Sequence, residues 1–389
     1  MSKRIAILGS TGSIGRQTLA VIEALGPAYR VTALTAGRNA ALLAEQARRF
    51  KPELVVLSDA GAAAELAREL RGEACRVEPG PQGQILAATW PSVDLVVAAL
   101  VGFSGFEPVL AALQAGKIVA LANKESLVVG GELLQHKGLL RGDRIIPMDS
   151  EHSAIRQCLS STSLDRVSRI WLTASGGPFR DWPRDRLESA KPDQALAHPN
   201  WRMGAKITVD SATLMNKGFE LLEAYWLFGL RLDQIEVVIH PQSVVHSAVE
   251  FIDGSVIAQL GLPDMRLPIQ YALTYPERQE STLPRLNLFG QNWSFTEPDT
   301  ERFPCLELAF RAGAAGGTLP ACLNAANEVA VEYFLKGELS FGGIPALINA
   351  VLQKHAPVRE PDFKQILAAD QWARQEALES LKTRTGEKI

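Results

Sequence analysis

Short apolar runs alternate with alanine-rich segments of helical period through the first 148 residues. The runs predict six strands, Arg4–Leu8, Val31–Thr35, Leu54–Leu57, Leu95–Ala98, Ile118–Leu121 and Arg144–Ile146. Strands that are apolar along their whole length are buried on both faces, and helices between them indicate a parallel sheet covered on both sides. We therefore predict an α/β fold in which residues 1–148 form a Rossmann-like, doubly wound parallel sheet.

The pattern changes after residue 148. Strand-like runs at 170–174 and 206–210 and a helical segment from Ser211 predict a central α+β domain over residues 149–280. Residues 281–300 are polar, contain proline and show no period, which predicts a linker. Four segments of helical spacing, 304–313, 320–336, 345–354 and 362–382, predict a C-terminal helical bundle over residues 301–389.

Composition narrows the function classes. A net charge of −3 provides no electrostatic basis for binding nucleic acid or an anionic membrane. The longest apolar runs, such as residues 95–101, are too short to span a bilayer. The first strand begins at once, without a signal-like segment, and the four cysteines form no C-x-x-C pair. We expect a cytoplasmic protein with buried, reduced thiols.

A glycine-rich loop joins the first strand to the first helix. Glycines there let backbone amides approach a pyrophosphate, which lies at the positive end of the helix. The spacing G-x-x-G-x-x-G differs from the commoner G-x-G-x-x-G, but its place between strand and helix favours a dinucleotide. The predicted cofactor-binding residues of this loop are Gly9, Ser10, Thr11, Gly12, Ser13 and Ile14.

The end of the second strand selects the cofactor. An NAD site has an acid there for the ribose 2′-hydroxyl, whereas this chain has Gly37, Arg38 and Asn39. A guanidinium at this place pairs with a 2′-phosphate, so the prediction is NADPH, with Arg38 as the chief selector. The alternative is an arginine that only flanks the next helix.

Asn123, Lys124 and Glu125 follow the fifth strand. The carboxyl ends of parallel strands are where such sheets bind ligands, so these residues are predicted to lie near the nicotinamide. The alternative is a surface Lys–Glu pair.

Asp149 and Glu151 follow the sixth strand with one residue between them. If the backbone stays extended, both side chains point to one side and hold a hard divalent cation between them. Glu220 would complete a three-carboxylate site for Mg²⁺ or Mn²⁺, with Co²⁺ as a further candidate. The alternative is a strand edge with solvated acids.

The central domain also carries hydrogen-bond donors suited to a phosphate. Ser175 with two following glycines forms an anion cradle or, alternatively, a tight turn. Asn216, Lys217 and Glu220 share a helix face, near Ser211. An i, i+3 Lys–Glu pair on a wet helix is the alternative there. The aperiodic stretch 197–205, with Trp201, is predicted to be a mobile lid, against the alternative of a tryptophan packed on its own domain.

In this order the motifs resemble the 1-deoxy-D-xylulose 5-phosphate reductoisomerase family over essentially the whole chain. The specific stretches are 9–15, 122–125, 149–152, 175–178, 198–204 and 211–220. The resemblance implies NADPH-dependent, metal-requiring conversion of 1-deoxy-D-xylulose 5-phosphate to 2-C-methyl-D-erythritol 4-phosphate in the non-mevalonate isoprenoid pathway. It also implies a homodimer, and it leaves a retro-aldol route and a direct ketol migration equally open.

The same resemblance implies residue roles. The metal ligands are Asp149, Glu151 and Glu220, which with Lys124 make the catalytic group. Asn123, Glu125 and Gly204 join the cofactor site. The substrate-binding residues are Lys124, Ser150, Glu151, Ser175, His198, Trp201, Ser211, Asn216, Lys217 and Glu220.

Two other functions are compatible with the predicted first domain. An NADP-linked semialdehyde dehydrogenase would use a nucleophilic cysteine, and Cys158 has no evident activating partner in the sequence. A non-catalytic NADP-sensing protein would bind the cofactor and show no metal-dependent oxidation of NADPH.

Overall fold

The computed structural model of the chain describes residues 2–159, 162–201 and 203–385. The chain forms two compact units, each assembled from separate stretches of sequence. The first comprises the chain up to Ser126, Gly138–Ser153 and Asp264–Pro284. The second comprises Leu127–Lys137, Ala154–Pro263 and the chain from Arg285 onward.

The first unit contains a parallel sheet of seven strands. Their bounds are β1 Lys3–Leu8, β2 Tyr29–Ala36, β3 Leu54–Leu57, β4 Arg76–Pro79, β5 Leu95–Ala98, β6 Ile118–Leu121 and β7 Ile145–Pro147. The strands lie in the order β4-β3-β2-β1-β5-β6-β7, so the winding reverses between β1 and β5. Ligands of doubly wound sheets bind beyond the carboxyl ends of the strands at such a reversal.

The predicted doubly wound parallel sheet is confirmed, with one strand that the sequence analysis missed. β3, β5 and most of β1 are fully buried, as their apolar runs predicted. β4 is an edge strand with the sequence Arg-Val-Glu-Pro, and none of its residues is buried. A strand exposed at the edge of a sheet needs no apolar run, so periodicity gave no signal for it.

Sixteen α-helices lie among the described residues. Up to residue 158 they are α1 Ser13–Leu25, α2 Ala40–Phe50, α3 Ala60–Glu69, α4 Gly80–Ala88, α5 Phe106–Gln114, α6 Glu125–His136 and α7 Ser150–Cys158. Beyond it they are α8 Arg184–Leu187, α9 Pro192–Ala195, α10 Ala205–Ala212, α11 Met215–Phe228, α12 Arg266–Thr274, α13 Cys305–Ala315, α14 Leu319–Leu335, α15 Gly343–Lys354 and α16 Phe363–Thr385.

The second unit contains a mixed sheet of four strands and most of the later helices. The strands are β8 Val167–Ala174, β9 Ile235–Ile239, β10 Val245–Phe251 and β11 Val256–Leu260, in the order β11-β10-β8-β9. Only β8 and β9 run parallel. The predicted α+β character of this region is confirmed, but residues 206–210, predicted from their alternation as strand-like, lie in helix α10.

The four C-terminal helices α13 to α16 are confirmed, and they share one apolar core with the sheet of the second unit. Phe179, which follows β8, meets Phe341 from the segment before α15, with their rings edge to face and 4.9 Å apart. Twelve of the 17 residues of α14 are buried, which explains why so little of this helix carries charge.

Two stretches belong to a different unit from the one that contiguous domain boundaries predicted. Residues 264–280 were placed in the central domain and residues 281–284 in the linker, yet 264–284 belong to the first unit, and α12 contributes Ile269, Ala272 and Leu273 to its core. Residues 127–137 were placed in the nucleotide domain, yet Val128 belongs to the core of the second. A sequence pattern shows that a segment is amphipathic but does not identify the core that it joins.

None of the helices in the described residues is both long enough and apolar enough to cross a membrane.

Candidate active site

The glycine loop after β1 is shaped by close approaches that only glycine allows. Gly9 has φ of +87°, and a Cβ there would lie 2.7 Å from the carbonyl oxygen of Ala99. A Cβ on Gly15 would lie 2.3 Å from the carbonyl oxygen of Gly9. The loop therefore folds tightly over the end of the sheet and onto the start of α1, as a pyrophosphate site requires.

The amides of this loop divide into two groups. The Gly9 amide donates to both the carbonyl and the hydroxyl oxygen of Thr35, and the Ser10 amide donates to the Thr35 carbonyl at 2.8 Å. The amides of Thr11, Ser13 and Ile14 make no hydrogen bond to another described residue, and they lie at the N-terminus of α1. These three amides are the donors that the loop can offer to a phosphate.

Ser10 is the loop residue whose side chain points away from the proposed ligand side. It is fully buried, and its hydroxyl donates to Gln46 Oε1 at 2.7 Å. The Ser10 side chain therefore shapes the loop, and the predicted role of Ser10 in cofactor binding stays a prediction.

The residues predicted to select NADPH lie between β2 and α2. The Arg38 side chain is 91% exposed, with its nearest carboxylate, that of Asp59, at 3.8 Å. Asn39 caps α2 by accepting a hydrogen bond from the Leu42 amide at 3.1 Å. Gly37 has open space where a Cβ would stand. The guanidinium is therefore accessible to an incoming 2′-phosphate.

Asn123 fixes the loop at the carboxyl end of β6. Its side-chain Nδ2 lies within hydrogen-bond distance of the carbonyl oxygens of Leu100 and Gly102, at 2.9 and 3.1 Å, and of Glu125 Oε2 at 2.9 Å. The loop beyond β6 is thereby tied to the one beyond β5, so Asn123, Lys124 and Glu125 are held at the sheet edge where they were predicted.

Lys124 and Asp149 form a buried ion pair at this edge. Lys124 Nζ lies 2.9 Å from Asp149 Oδ2, and the two side chains are 6% and 13% exposed. Charges withdrawn from water need a partner of opposite sign, so each group holds the other in place.

The expectation that Asp149 and Glu151 lie along an extended strand is wrong. β7 ends at Pro147, and α7 begins at Ser150, so Glu151 lies in the first turn of a helix. Its carboxylate accepts a hydrogen bond from the Ser150 hydroxyl. Acidic side chains are stabilised at helix N-termini by the helix dipole, and this end of α7 is at the carboxyl edge of the first sheet.

In the second unit, the loop after β8, residues 175–177, is the stretch predicted to be either an anion cradle or a tight turn. Gly176 and Gly177 have φ of +82° and +69°, and the Gly177 amide donates to Ser175 Oγ at 3.2 Å. A Cβ on Gly177 would lie 2.7 Å from the Ser211 carbonyl oxygen. This close approach brings the cradle of Ser175 against the end of α10, where Ser211 lies.

His198 connects the cradle to the predicted lid. Its Nδ1 accepts hydrogen bonds from the amides of Asn200 and Trp201, at 3.2 and 3.0 Å, and its Nε2 lies 3.0 Å from Ser175 Oγ. Nδ1 is therefore unprotonated, and the Nε2–H donates to Ser175. Burial lowers the pKa of His198, which keeps the ring neutral. Ser175 accepts two hydrogen bonds, so its own proton is left to donate to a ligand.

The rest of the lid contacts the turn between β9 and β10. The Asn200 side-chain amide donates to the Pro241 carbonyl at 2.7 Å and to Ser243 Oγ at 2.8 Å. The Trp201 ring lies 6.3 Å from the ring of His246. Gly204 caps the start of α10, and Arg202 lies outside the described residues.

The polar face of α11 is buried, as predicted. Lys217 and Glu220 are 3% and 1% exposed and form an ion pair, and the Asn216 amide also donates to Glu220. Leu214, at φ +60°, forms the tight connection between α10 and α11. The second unit thus gathers the hydroxyl, amide and ammonium donors around two helix ends and one strand end.

Three residues that support these groups escaped the sequence analysis, namely Thr35, Gln46 and Asn200. Thr35 and Gln46 sit in a regular strand and helix, where nothing in the local pattern distinguishes them. Asn200 had a signal, because it is a polar side chain inside the predicted lid.

The cysteines do not provide a nucleophile. Burial raises the pKa of Cys158 to about 11 and that of Cys305 to about 12, so both are thiols at neutral pH. This favours the metal-dependent reading of the site over a dehydrogenase that uses a cysteine.

The doubly wound sheet and its glycine loop define the class first: a dinucleotide-linked oxidoreductase. Family models agree with this class over most of the chain. Those described as 1-deoxy-D-xylulose 5-phosphate (DXP) reductoisomerase match residues 5–131, and those for its C-terminal domains match residues 145–228 and 260–376.

Individual relatives cover nearly the full length. The 1-deoxy-D-xylulose 5-phosphate reductoisomerase of Pelotomaculum thermopropionicum is 56% identical over 96% of this chain and 97% of its own. That of Symbiobacterium thermophilum is 55% identical over 97% of this chain and 99% of its own. The chain belongs to the 1-deoxy-D-xylulose 5-phosphate reductoisomerase family, which confirms the resemblance seen in its motifs.

Solved structures agree. A crystal structure of DOX-P reductoisomerase with NADPH, fosmidomycin and magnesium is 40% identical, with a TM-score of 0.94 and coverage of 99% of this chain and 100% of that one. The Zymomonas mobilis enzyme in complex with NADPH is also 40% identical, with a TM-score of 0.91 and coverage of 98% and 100%.

Proposed function

We propose that this chain converts 1-deoxy-D-xylulose 5-phosphate to 2-C-methyl-D-erythritol 4-phosphate with NADPH as reductant and a divalent cation as cofactor. Membership of the family over the whole chain is the observation that carries this function. Solved relatives bind NADPH, magnesium and fosmidomycin, and the equivalent ligands of this chain are NADPH, Mg²⁺ or Mn²⁺, and the sugar phosphate.

NADPH binding is assigned to the first unit. The amides of Thr11, Ser13 and Ile14 would hold the pyrophosphate, because they are oriented by the tight loop and lie at a helix N-terminus. Arg38, with Gly37 and Asn39, would hold the 2′-phosphate. Asn123 and Glu125 lie at the carboxyl edge of the sheet, on the side of β1 where the winding reverses, which suits the nicotinamide half.

The metal ligands proposed are Asp149, Glu151 and Glu220. Carboxylate oxygens are the donors that Mg²⁺ and Mn²⁺ prefer. Asp149 and Glu220 each form an ion pair with a buried lysine, Lys124 and Lys217 respectively. This donor set fits a hard divalent cation. When bound, the cation supplies a Lewis acid to the ketone and hydroxyl oxygens of the substrate.

The substrate phosphate is assigned to the second unit. Ser175 has a free hydroxyl proton, oriented by His198 and Gly177, and Lys217 brings positive charge from the neighbouring helix. Ser211 and Asn216 add two further donors at the ends of the same helices. Holding the phosphate away from the reacting carbons fixes the geometry of the sugar, which lowers the entropic part of the barrier.

The lid, residues 197–205, would cover the bound sugar with Trp201 and exclude water from the reactive aldehyde. His198 ties the lid backbone to the phosphate cradle, so substrate binding and lid position are linked through one neutral imidazole. Ser150, at the start of α7, and Lys124 would contact the sugar oxygens.

The reaction has two parts. A carbon–carbon rearrangement gives a branched aldehyde, by retro-aldol and aldol steps or by direct ketol migration, and the assigned residues serve both routes. The aldehyde carbon then accepts a hydride from NADPH, and its oxygen takes up a proton, which yields the primary alcohol of 2-C-methyl-D-erythritol 4-phosphate and NADP⁺. Lys124, an ammonium at the carboxyl edge of the sheet, can stabilise negative charge on a substrate oxygen.

A homodimer in the cytoplasm is proposed as the working form. β11 is an edge strand, and Val256 and Ile257 on it are 55% and 48% exposed, with Ile252 nearby at 61%. An apolar edge strand tends to be covered by another chain. The four cysteines are free, as expected in a reducing compartment. Light scattering on the purified protein tests the dimer, and cell fractionation tests the location.

The function is tested by following NADPH oxidation with the sugar phosphate, with and without Mg²⁺. We expect turnover only when all three are present, and loss of turnover in excess EDTA that added Mg²⁺ or Mn²⁺ restores. Full activity in EDTA would contradict the three-carboxylate site. NADPH binding without any metal-dependent oxidation would favour an NADP-sensing protein instead.

A further inference from the structure

The buried side chain of Gln46 holds the glycine loop in place through hydrogen bonds to Ser10. Gln46 accepts a hydrogen bond from the Ser10 hydroxyl at 2.7 Å and donates to the Ser10 carbonyl oxygen at 3.0 Å. Ser10 and Gln46 are 0% and 6% exposed. Each polar atom of Ser10 that faces the interior is therefore satisfied by one residue, 36 positions away in sequence.

The same strand and helix that hold this loop also carry the proposed 2′-phosphate site. Thr35 at the end of β2 accepts the amides of Gly9 and Ser10, and Gln46 lies on α2. The residues between them, Gly37 to Asn39, connect β2 to α2, and Asn39 is the N-cap of that helix. The unit made of β2 and α2 thus holds the pyrophosphate loop, through Thr35 and Gln46, and carries Arg38 in the connection between the strand and the helix.

We propose that Gln46 is a positioning residue for NADPH, one that sets the spacing between the pyrophosphate loop and the 2′-phosphate site. The inference rests on the proposed NADPH site. NADPH is anchored at two anionic points, so it is sensitive to the distance between the two sites that receive them. A rigid pair of buried hydrogen bonds keeps that distance fixed before the cofactor arrives, which removes a cost of ordering from binding.

Removing the Gln46 amide leaves the Ser10 hydroxyl and carbonyl buried without their partners. A buried polar group that loses its hydrogen bond moves toward other partners or admits water, and the loop shifts with it. Because Thr11, Ser13 and Ile14 follow Ser10 directly, such a shift displaces the three amides proposed to hold the pyrophosphate. NADH, which lacks the second anchor, depends less on the spacing than NADPH does.

The test compares Gln46→Leu with the wild type and with Glu45→Gln, an exposed neighbour on the same helix. NADPH and NADH dissociation constants are measured by fluorescence titration, and kcat and both KM values by NADPH oxidation. We expect Gln46→Leu to raise the Kd and KM for NADPH about tenfold and to narrow the preference for NADPH over NADH. The KM for the sugar phosphate should stay within about twofold, and Glu45→Gln should match the wild type.

Ser10→Ala provides a second test that does not depend on how well Gln46→Leu folds. Ser10→Ala keeps the hydrogen bond to the Ser10 carbonyl and removes only the hydroxyl, so a smaller shift of the same kind is expected. In the double variant, the loss of NADPH binding free energy should be smaller than the sum of the losses in the two single variants, because both substitutions act on one contact. An unchanged Kd for NADPH in Gln46→Leu would overturn the proposal. So would an equal loss for NADPH and NADH together with a lower melting temperature, because that result indicates a purely structural role.

The fluorescence titration needs no turnover. A wild type that binds NADPH but does not act on the sugar phosphate would contradict the proposed function and leave the role of Gln46 measurable.

Discussion

The two units build their proposed phosphate-binding sites from different groups. In the first, the groups proposed to hold the pyrophosphate of NADPH are backbone amides at the edge of a parallel sheet, positioned by glycines and by internal hydrogen bonds. In the second, the proposed groups are side chains on a strand end, a lid and two helices, with Lys217 and Glu220 buried as a charged pair. A backbone site depends on the shape of the loop, whereas a side-chain site depends on charge, so the two should fail in different ways.

Loss of a metal ligand should have the largest effect on activity. Glu220→Gln keeps the size of the side chain and removes its charge, and we expect kcat to fall about a thousandfold, which corresponds to about 4 kcal/mol in the activation barrier. Measurement is by NADPH oxidation over a range of Mg²⁺ concentration. Glu236→Gln, at a half-exposed carboxylate on β9, is the control and should leave kcat unchanged. Wild-type kcat in Glu220→Gln would remove Glu220 from the metal site.

Crowding the glycine loop should come next. A Cβ on Gly15 would lie 2.3 Å from the Gly9 carbonyl oxygen, so Gly15→Ala must displace the loop. We expect the KM for NADPH to rise about a hundredfold, with much less change in the KM for the sugar phosphate. Gly342→Ala is the comparison, because it lies outside the assigned sites, its φ is −66°, and the atoms nearest its Cβ position, those of Glu188, are 3.6 Å or more away; it should be nearly neutral. Equal losses in both variants would show that loop shape is not what the glycines provide.

Truncation of the lid tests the second unit by itself. Trp201→Ala should raise the KM for the sugar phosphate or lower kcat, by about tenfold to a hundredfold, because water then reaches the aldehyde. NADPH binding, measured by titration, should not change. Trp201→Phe retains an aromatic cover and should keep most of the activity. Unchanged kinetics in Trp201→Ala would end the lid hypothesis.

Within the proposed NADPH site, charge should matter most at the 2′-phosphate. Arg38→Ala should reduce the preference for NADPH over NADH about tenfold, because it weakens the binding of NADPH and leaves the binding of NADH unchanged. Arg30→Ala is a matched control, since that arginine is also exposed and also lies 3.8 Å from a carboxylate. A preference that survives Arg38→Ala would mean that another group selects the cofactor.

The smallest effect near neutral pH concerns the stability of the second unit. Burial lowers the pKa of His246 to about 4, from 6.5 in the unfolded chain. The folded state therefore holds fewer protons than the unfolded state between these values, and the contribution of the neutral ring is complete above pH 6.5 and lost as pH falls toward 4. At pH 5 the loss is about 2 kcal/mol.

Urea unfolding at pH 7 and pH 5 measures this loss. His246→Gln should be less stable than the wild type at pH 7 and should depend less on pH. An equal pH dependence in both proteins would assign the effect to other histidines, among which His198 and His240 also have pKa values lowered by burial.

The parts of the molecule that the sequence predicted well are those that repeat a period. β3, β5 and β6 begin and end at the residues predicted, because a strand buried on both faces must be apolar throughout. The edge strand β4 and the helical start at Ser150 were missed. The first is half-exposed and needs no apolar run, and the second follows a proline-ended strand whose next residues have no period.

By itself, the sequence determined the buried strands of the first sheet, the glycine loop at the first strand end, the acidic and hydroxyl residues that are candidates for a site, and the family. These depend on neighbours along the chain and on motifs of fixed spacing. Only the tertiary structure decided that residues 264–284 join the first core and that Gln46 fastens Ser10. It alone also decided that His198 orients both the cradle and the lid. Each of these is a contact between positions that are far apart in the sequence. Such a contact produces no periodic pattern of residues, so the sequence alone does not predict it.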